Sequence, residues 1–442
     1  MHVIHHGALH GVTGSCHQLV IDPTRSILID CGLFQGEDAK GRDEAKIDFP
    51  LNGIKSLILT HIHVDHVGRL PYLMGAGFDG PIYCSPPTAK LLPLTMEDAM
   101  RVGVTRNKKL IDQFLQSMRR QLRPLEYGKW HKIDGGVEVR LQPAGHILGS
   151  AYVEVEHSCE RFVFSGDLGS RNQPLLTQPA SPEKADFLVL ESTYGDRNHV
   201  GREQRRKHFE DILCRTMENS GVTIIPAFSV GRTQELLFEM NAIFQRVEQR
   251  CGCALLNKID VIVDSPLANR YTEIYEDLRQ YWSDEAQQVL TYDDQPLVFD
   301  NLFTINEGED HRDLVEMLKE TKRPAIVIAA GGMCAGGRVV NYLKAFIGDP
   351  TTDIVFMGYQ AIGTPGRYIQ ETDWVKLDGQ RYDIRAAVHV LDSYSAHADQ
   401  SDLLKFVEGM KERPKAIRLV HGETPAKAAL TRELVQRGYT VV

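Results

Sequence analysis

Short apolar runs separated by turn residues dominate the first 190 residues. Residues 26–31, 56–60 and 161–165 are apolar stretches bounded by Gly, Pro or polar residues, and they predict buried strands. The spacing predicts a helix from about residue 91 to 122, with Pro93 near its start and Pro124 just beyond its end. From about residue 197 the pattern changes. A charged helix over residues 202 to about 219 precedes three strand–loop–helix units. Residues 222–226 lead through Ser229-Val230-Gly231-Arg232 into a helix, and residues 259–264 lead through Ser265-Pro266 into another. Residues 324–330 lead into a third through a loop holding Gly331, Gly332, Gly336 and Gly337. Strands alternating with helices predict a parallel sheet covered on both faces, and so a second, α/β domain. Strand-like runs return at 385–391 and 416–420, where they complete the first domain and make the middle an insertion. The expected division is 1–196, 197–373 and 374–442.

Composition narrows the class. With 442 residues, 42% hydrophobic and 25% charged, the chain has the makeup of a soluble protein of two or three domains. It lacks an apolar run of about eighteen residues, which argues against a membrane span. The start, Met1-His2-Val3-Ile4-His5-His6-Gly7, lacks the basic and apolar regions of a secretory signal, so a cytoplasmic protein is expected. The net charge of −9 argues against a broad, non-specific grip on nucleic acid, so any such partner must sit in a local cleft. Against that balance, Arg101, Arg106, Lys108, Lys109, Arg119, Arg120 and Arg123 crowd one stretch. They read as a solvated helix face or as a local RNA-steering patch. Eight cysteines do not make a disulfide framework. Cys31 and Cys84 read as small hydrophobes, and Cys251-x-Cys253 lacks a second pair at zinc-finger spacing, so its reading is structural.

The strongest chemical signal is His61-Ile62-His63-Val64-Asp65-His66, directly after a predicted strand. Alternate residues of an extended segment point the same way, so His61 and His63 can bind one metal. Asp65 and His66 fall where the chain turns into the next helix and can face a neighbouring one. Imidazole and carboxylate suit Zn²⁺, with Mn²⁺ or Fe as competitors. His146 in Pro143-Ala-Gly-His-Ile-Leu-Gly149, Asp167 after an apolar run and His421 in Leu419-Val-His-Gly-Glu423 are further candidates. Asp167 could bridge two ions. Each of these is weak alone, because a lone histidine after a strand is more often satisfied locally. Together with the six-residue cluster they form a coherent set.

These residues resemble the signature of the metallo-β-lactamase superfamily, with Asp30 matching its first acidic motif. Later segments narrow the resemblance to the β-CASP nucleases: Glu191 matches motif A, His397 in Ser395-Ala-His-Ala-Asp399 motif B, and His421 motif C. The resemblance covers essentially the whole chain. It is closest in character to the compact members related to the eukaryotic pre-mRNA 3′-end endonuclease and to RNase J. It implies an αββα sandwich with an inserted α/β (β-CASP) domain containing a mainly parallel sheet. It implies two Zn²⁺, one held by His61, His63 and His146, the other by Asp65, His66 and His421, with Asp167 between them. Asp30 would orient the ligand loop, and Glu191 and His397 would pair near the leaving group. In that family a motif C histidine accompanies RNA substrates.

The expected chemistry follows from that ligand set. Two divalent ions flank a water and lower its pKa, so hydroxide is available to attack a phosphodiester. His397 is the expected general acid, its pKa raised by Glu191, and Asp65 counts among the catalytic residues as well as the ligands. Gly331, Gly332, Gly336 and Gly337 allow close backbone approach to phosphates, and Arg232, Arg338 and Arg367 are candidate RNA contacts or structural ion pairs. Neither a P-loop lysine nor a Gly-x-Gly-x-x-Gly is present, so a nucleotide cofactor is not expected. The expectation is a zinc-dependent ribonuclease acting on single-stranded RNA in a groove between domains, endonucleolytic in RNA processing or decay. A 5′–3′ exoribonuclease, a small-molecule metallo-hydrolase and a metal-free binding subunit are the alternatives. A homodimer is an arrangement the sequence leaves open.

Overall fold

The computed structural model describes residues 1–442 apart from 42–44, 134, 172 and 252–258. The chain divides into two compact units. The first comprises Met1–Arg171, Thr177–Asn198 and His397–Val442, the second Asn172–Leu176 and His199–Ala396.

The first unit holds two six-stranded sheets. One runs in order β1 (His2–His5), β2 (His17–Asp22), β3 (Arg25–Ile29), β4 (Ile54–Ile58), β5 (Ile82–Cys84) and β6 (Leu122–Pro124). Its first three strands are antiparallel and the rest join in parallel. The other contains β7 (Trp130–Lys132), β8 (Glu138–Pro143), β9 (Ala151–His157), β10 (Glu160–Phe164) and β11 (Phe187–Glu191), with Ala416–Val420 on the far edge beside β11. Leu19, Ile27, Ile29 and Ile58 from the first sheet meet Val139, Leu141, Val153, Val155 and Phe164 from the second in one core cluster. The opposite face of the second sheet, including Leu188 and Leu190, packs on Leu403 and Phe406 of the helix Gln400–Glu408 and Leu430 of Thr424–Gln436. Burying such a side chain contributes about 1.5–3 kcal/mol, which fixes the strand ends that carry the polar residues described below.

The expected helix over residues 91 to 122 is two helices, α3 (Pro86–Gly103) and α4 (Lys108–Gln121), which follow the short α1 (Val64–Val67) and α2 (Leu70–Gly75). The break has a local cause: the Asn107 side chain accepts the Lys109 N–H and starts a new helix. Ser85 caps α3 by accepting the Thr88 N–H, so Pro93 lies inside the helix instead of near its start.

The second unit contains a six-stranded sheet in order Leu302–Thr304, Asp260–Asp264, Ala325–Ala330, Val222–Ala227, Asp353–Phe356 and Ala387–Val390. Every neighbouring pair is parallel, as the alternating pattern requires. Of the two late strand-like runs, Ala416–Val420 joins the first unit. Ala387–Val390 instead pairs with Asp353–Phe356 in the second unit's sheet, and the chain returns to the first unit at His397, not at residue 374. Cys31 and Cys84 are buried as expected, and burial pushes the Cys84 thiol up to about 12. Cys253 lies outside the described residues, as does the side chain of Cys251. Among the described residues no helix is long and apolar enough to cross a membrane.

Candidate metal centre

Strand β4 ends at Ile58, and His61 and His63 follow in the connection to α1, which carries Asp65 and His66. Four residues make a marginal helix, so its position depends on outside bonds. Ser15 N–H donates to Asp65 O, Cys31 N–H to His66 O and Leu33 N–H to Val64 O. Gly32 makes this close approach possible, because a Cβ there would lie 1.5 Å from the Asp65 carbonyl oxygen. Gly32→Ala is therefore expected to cost about 2–3 kcal/mol by overpacking and to lower the melting temperature of the purified protein. Unchanged melting would show that the α1 segment yields freely.

The imidazoles are oriented from behind. Asp30, at the end of β3, accepts from Thr60 N–H and Thr60 Oγ1–H at 2.8 Å each, and from His66 Nδ1 at 2.8 Å. That fixes the proton of His66 on Nδ1 and aims Nε2 at Asp167 Oδ1, 3.2 Å away. Thr60 Oγ1 also contacts His61 Nδ1 at 3.1 Å, and Thr193 Oγ1 contacts His421 Nδ1 at 3.1 Å. Sequence reasoning missed Thr60 and Thr193. Only their nearness in sequence to His61 and Glu191 could have pointed to them.

Two groups of ligand-type atoms result. His61 Nε2 and His146 Nε2 lie 3.1 and 3.0 Å from His63 Nδ1, and both lie 3.5 Å from Asp167 Oδ2. On the other side, Asp65 Oδ2 lies 3.3 Å from His421 Nε2 and 4.0 Å from His66 Nε2, while Asp167 Oδ1 lies 3.5 Å from His421 Nε2. The two oxygens of Asp167 thus face different groups. Asp167, His397 and His421 also come close enough to form a third combination.

The donor chemistry fits divalent cations. One N–H on His63 can serve only one of its two imidazole neighbours. His66 Nε2 and Asp167 Oδ1 are buried 3.2 Å apart, and neither has a well-aligned hydrogen bond among the described residues. Burial holds His61 well below the ordinary histidine range and His63 down to about 4, so both are neutral and ready to ligate. Burial opposes ionisation of Asp167, but the imidazoles around it prevail and keep it a carboxylate. At His66 burial is outweighed by Asp167 and Asp30, which favour the imidazolium, so a metal there must displace a proton.

Beside these groups, His397 Nδ1 lies 3.2 Å from Glu191 Oε1 and His397 Nε2 lies 3.9 Å from Asp167 Oδ2. Glu191 is fully buried and accepts the Leu168 and Thr193 N–H groups. His397 is held by a β-bridge to Gly169 and by Ala398 N–H donating to Leu168 O. Burial disfavours its charged form, but Glu191 and Asp167 more than compensate and push it up to about 9.

The residues expected to touch substrate lie in the second unit, where each has local partners. Arg232 is buried against Glu235, the ion-pair alternative rather than an exposed contact. Arg338 binds Asp264 at 2.5 Å and the carbonyls of Ile305 and Asn306, and Arg367 pairs with Glu371 at 2.6 Å. Gly331 and Gly337 serve their own loop. Both have positive φ, and a Cβ on Gly331 would lie 2.1 Å from Gly336 O. A Cβ on Gly332 would meet the Phe228 ring, while Gly336 faces open space.

Residues 11–201 match the metallo-beta-lactamase superfamily, residues 233–369 the Beta-Casp domain, and residues 381–442 the Zn-dependent metallo-hydrolase RNA specificity domain. The chain is 35% identical over 447 residues to "Ribonuclease TTHA0252" of Thermus thermophilus, covering 100% of this chain and 97% of that protein. It belongs to the β-CASP family of the metallo-β-lactamase superfamily. A second β-CASP relative is "Transcription termination factor FttA" of Methanosarcina mazei, 29% identical over 98% of this chain and 68% of that protein. A solved protein of unknown function from Enterococcus faecalis shares the fold, with a TM-score of 0.56 at 12% identity over 99% of this chain and 96% of that one. Membership makes the chain a metal-dependent hydrolase, and the His/Asp cluster is where a divalent cation fits.

The β-CASP centre also yields a prediction for Asp30. Asp30→Asn keeps the size but removes the charge behind His66. Metal affinity is expected to fall about 10–100-fold, read by competition with a chromophoric chelator. Unchanged affinity would remove Asp30 from the account.

Proposed function

We propose that this chain is a zinc-dependent ribonuclease that hydrolyses phosphodiester bonds of single-stranded RNA, cutting within the strand. The observation that carries the reading is Asp167, whose two oxygens face two separate groups of ligand-type side chains. On this reading His61, His63 and His146 hold one ion, Asp65, His66 and His421 the other, and Asp167 both. The chemistry such ions supply when bound is Lewis acidity toward phosphoryl oxygens and acidification of water.

The chain's own groups complete the reaction. Asp30 and Thr193 hold His66 and His421 in position from behind. Glu191 keeps a proton on His397 Nδ1, so its other nitrogen can carry the proton passed to the departing ribose oxygen. The ribonuclease and termination-factor relatives support RNA as the substrate.

The test is incubation of purified, zinc-loaded protein with end-labelled linear RNA and with circular RNA. Opening of the circle, abolished by chelator, is the expected result. Digestion of linear RNA alone from its 5′ end would make the chain an exonuclease. Failure to cut either substrate would overturn the reading.

A further inference from the structure

Between residues 101 and 123 the sequence has seven Lys or Arg and one acidic residue, Asp112, in a chain of net charge −9. The structure places this charge on the α3–α4 hairpin of the first unit. At the tip, Arg101, Arg106, Lys108 and Ile111 line a concavity of about 320 Å³. Arg101 pairs with Glu97, whereas Arg106, Lys108, Lys109 and Arg119 form no ion pair among the described residues. Along α4 the buried stripe is Ile111, Leu115 and Met118. Helical spacing puts Lys109, Gln113, Gln116 and Arg120 on the opposite, outward face, with no carboxylate among them. The fourteen residues of α4 carry that stripe about 21 Å.

The root of the hairpin is tied to the metal centre. Ser85 Oγ and Thr88 Oγ1 donate to Gly149 O at 2.6 and 2.9 Å, and the adjacent Ser150 Oγ accepts the His146 N–H at 3.0 Å. Strand β6, which follows α4, pairs in parallel with β5, which precedes α3. The basic stripe therefore runs from the hairpin tip back to edge strand β6, beside β5, from whose end α3 starts against the His146 loop.

We propose that this hairpin is a second RNA-binding surface that grips the phosphate backbone of a strand engaged at the metal centre. The proposal rests on the ribonuclease reading. Recognition there is independent of sequence: the outward stripe offers cations and amides, and it contains no aromatic ring for base stacking. The exposed Val102, Val104 and Leu110 lie at the tip, off that stripe. An anionic lipid surface is the competing partner they would suit.

The test is the salt dependence of kcat/KM for zinc-loaded wild type and for a variant carrying Arg106→Gln, Lys108→Gln, Lys109→Gln and Arg120→Gln. Glutamine keeps helix propensity close to that of Lys and Arg. Substrates are single strands of about 24 and about 5 nucleotides, and each neutralised phosphate contributes about 0.7 to the log–log salt slope. The wild type is expected to show the steeper slope on the long RNA. In the variant that slope falls by about 3, and KM on the long RNA rises about tenfold or more. Wild-type cleavage with equal slopes in both proteins would overturn the proposal alone. So would equal slopes together with loss of binding to phosphatidylserine vesicles in the variant, which would assign the surface to lipid. A wild-type protein that cuts neither RNA would overturn the ribonuclease reading as well.

Discussion

Asp167→Asn is expected to lower cleavage by roughly 10³-fold or more and to reduce bound zinc below two ions per chain. Among the described residues this carboxylate alone has an oxygen facing each ligand group, at 3.5 Å from His61 Nε2 and 3.2 Å from His66 Nε2. An asparagine of the same shape must turn an NH₂ toward one of the two groups. That end then offers donors where a cation requires a lone pair. Losing one ion removes several kcal/mol of transition-state charge stabilisation, and each 1.36 kcal/mol is about tenfold in rate. Elemental analysis of dialysed protein and initial cleavage rates read the two effects separately. Full zinc content with a rate within about tenfold of wild type would show that Asp167 bridges nothing.

The second large effect belongs to His397. His397→Ala is expected to keep both ions and to lose about 10²–10⁴-fold in rate, the usual range for removing a positioned general acid. Loss of zinc would instead make His397 a ligand, as its proximity to Asp167 and His421 permits. The pH profile adds a sign. His397 must be protonated to donate, and Glu191 and Asp167, acting against burial, push it up to about 9. Cations held by Asp167 offset its charge, so in the zinc-loaded protein activity should fall as pH rises through a His397 pKa below that value, with Glu191 still raising it. Glu191→Gln removes one of the charges that favour the imidazolium, so the alkaline limb should move to lower pH. A limb that stays in place would separate Glu191 from the proton transfer.

Much of this architecture is legible in the sequence for a physical reason. Parallel strands buried on both faces read as unbroken apolar runs, which is why Val222–Ala227, Asp260–Asp264 and Ala325–Ala330 stand out. The His61–His66 cluster is equally plain, because four ligand-type residues share one short segment. What escapes is set by distant contacts. Whether the run near residue 388 joins the first or the second sheet depends on its pairing with Asp353–Phe356, which no local pattern encodes. A basic residue after a strand looks the same whether it meets RNA or, as at Arg232, a glutamate one helical turn away. Thr60 and Thr193 are ordinary residues whose part is visible only once Asp30 and His421 are brought beside them. The break at Asn107 was readable from its capping side chain, but helical periodicity on both sides obscured it.

On the proposed reading, seven side chains from distant parts of the chain hold two cations. Anomalous diffraction from crystals of the zinc-loaded protein, collected on both sides of the zinc edge, tests it most directly. Two peaks are expected, one among His61, His63, His146 and Asp167, the other among Asp65, His66, His421 and Asp167. A single peak, or two peaks elsewhere on the chain, would contradict it.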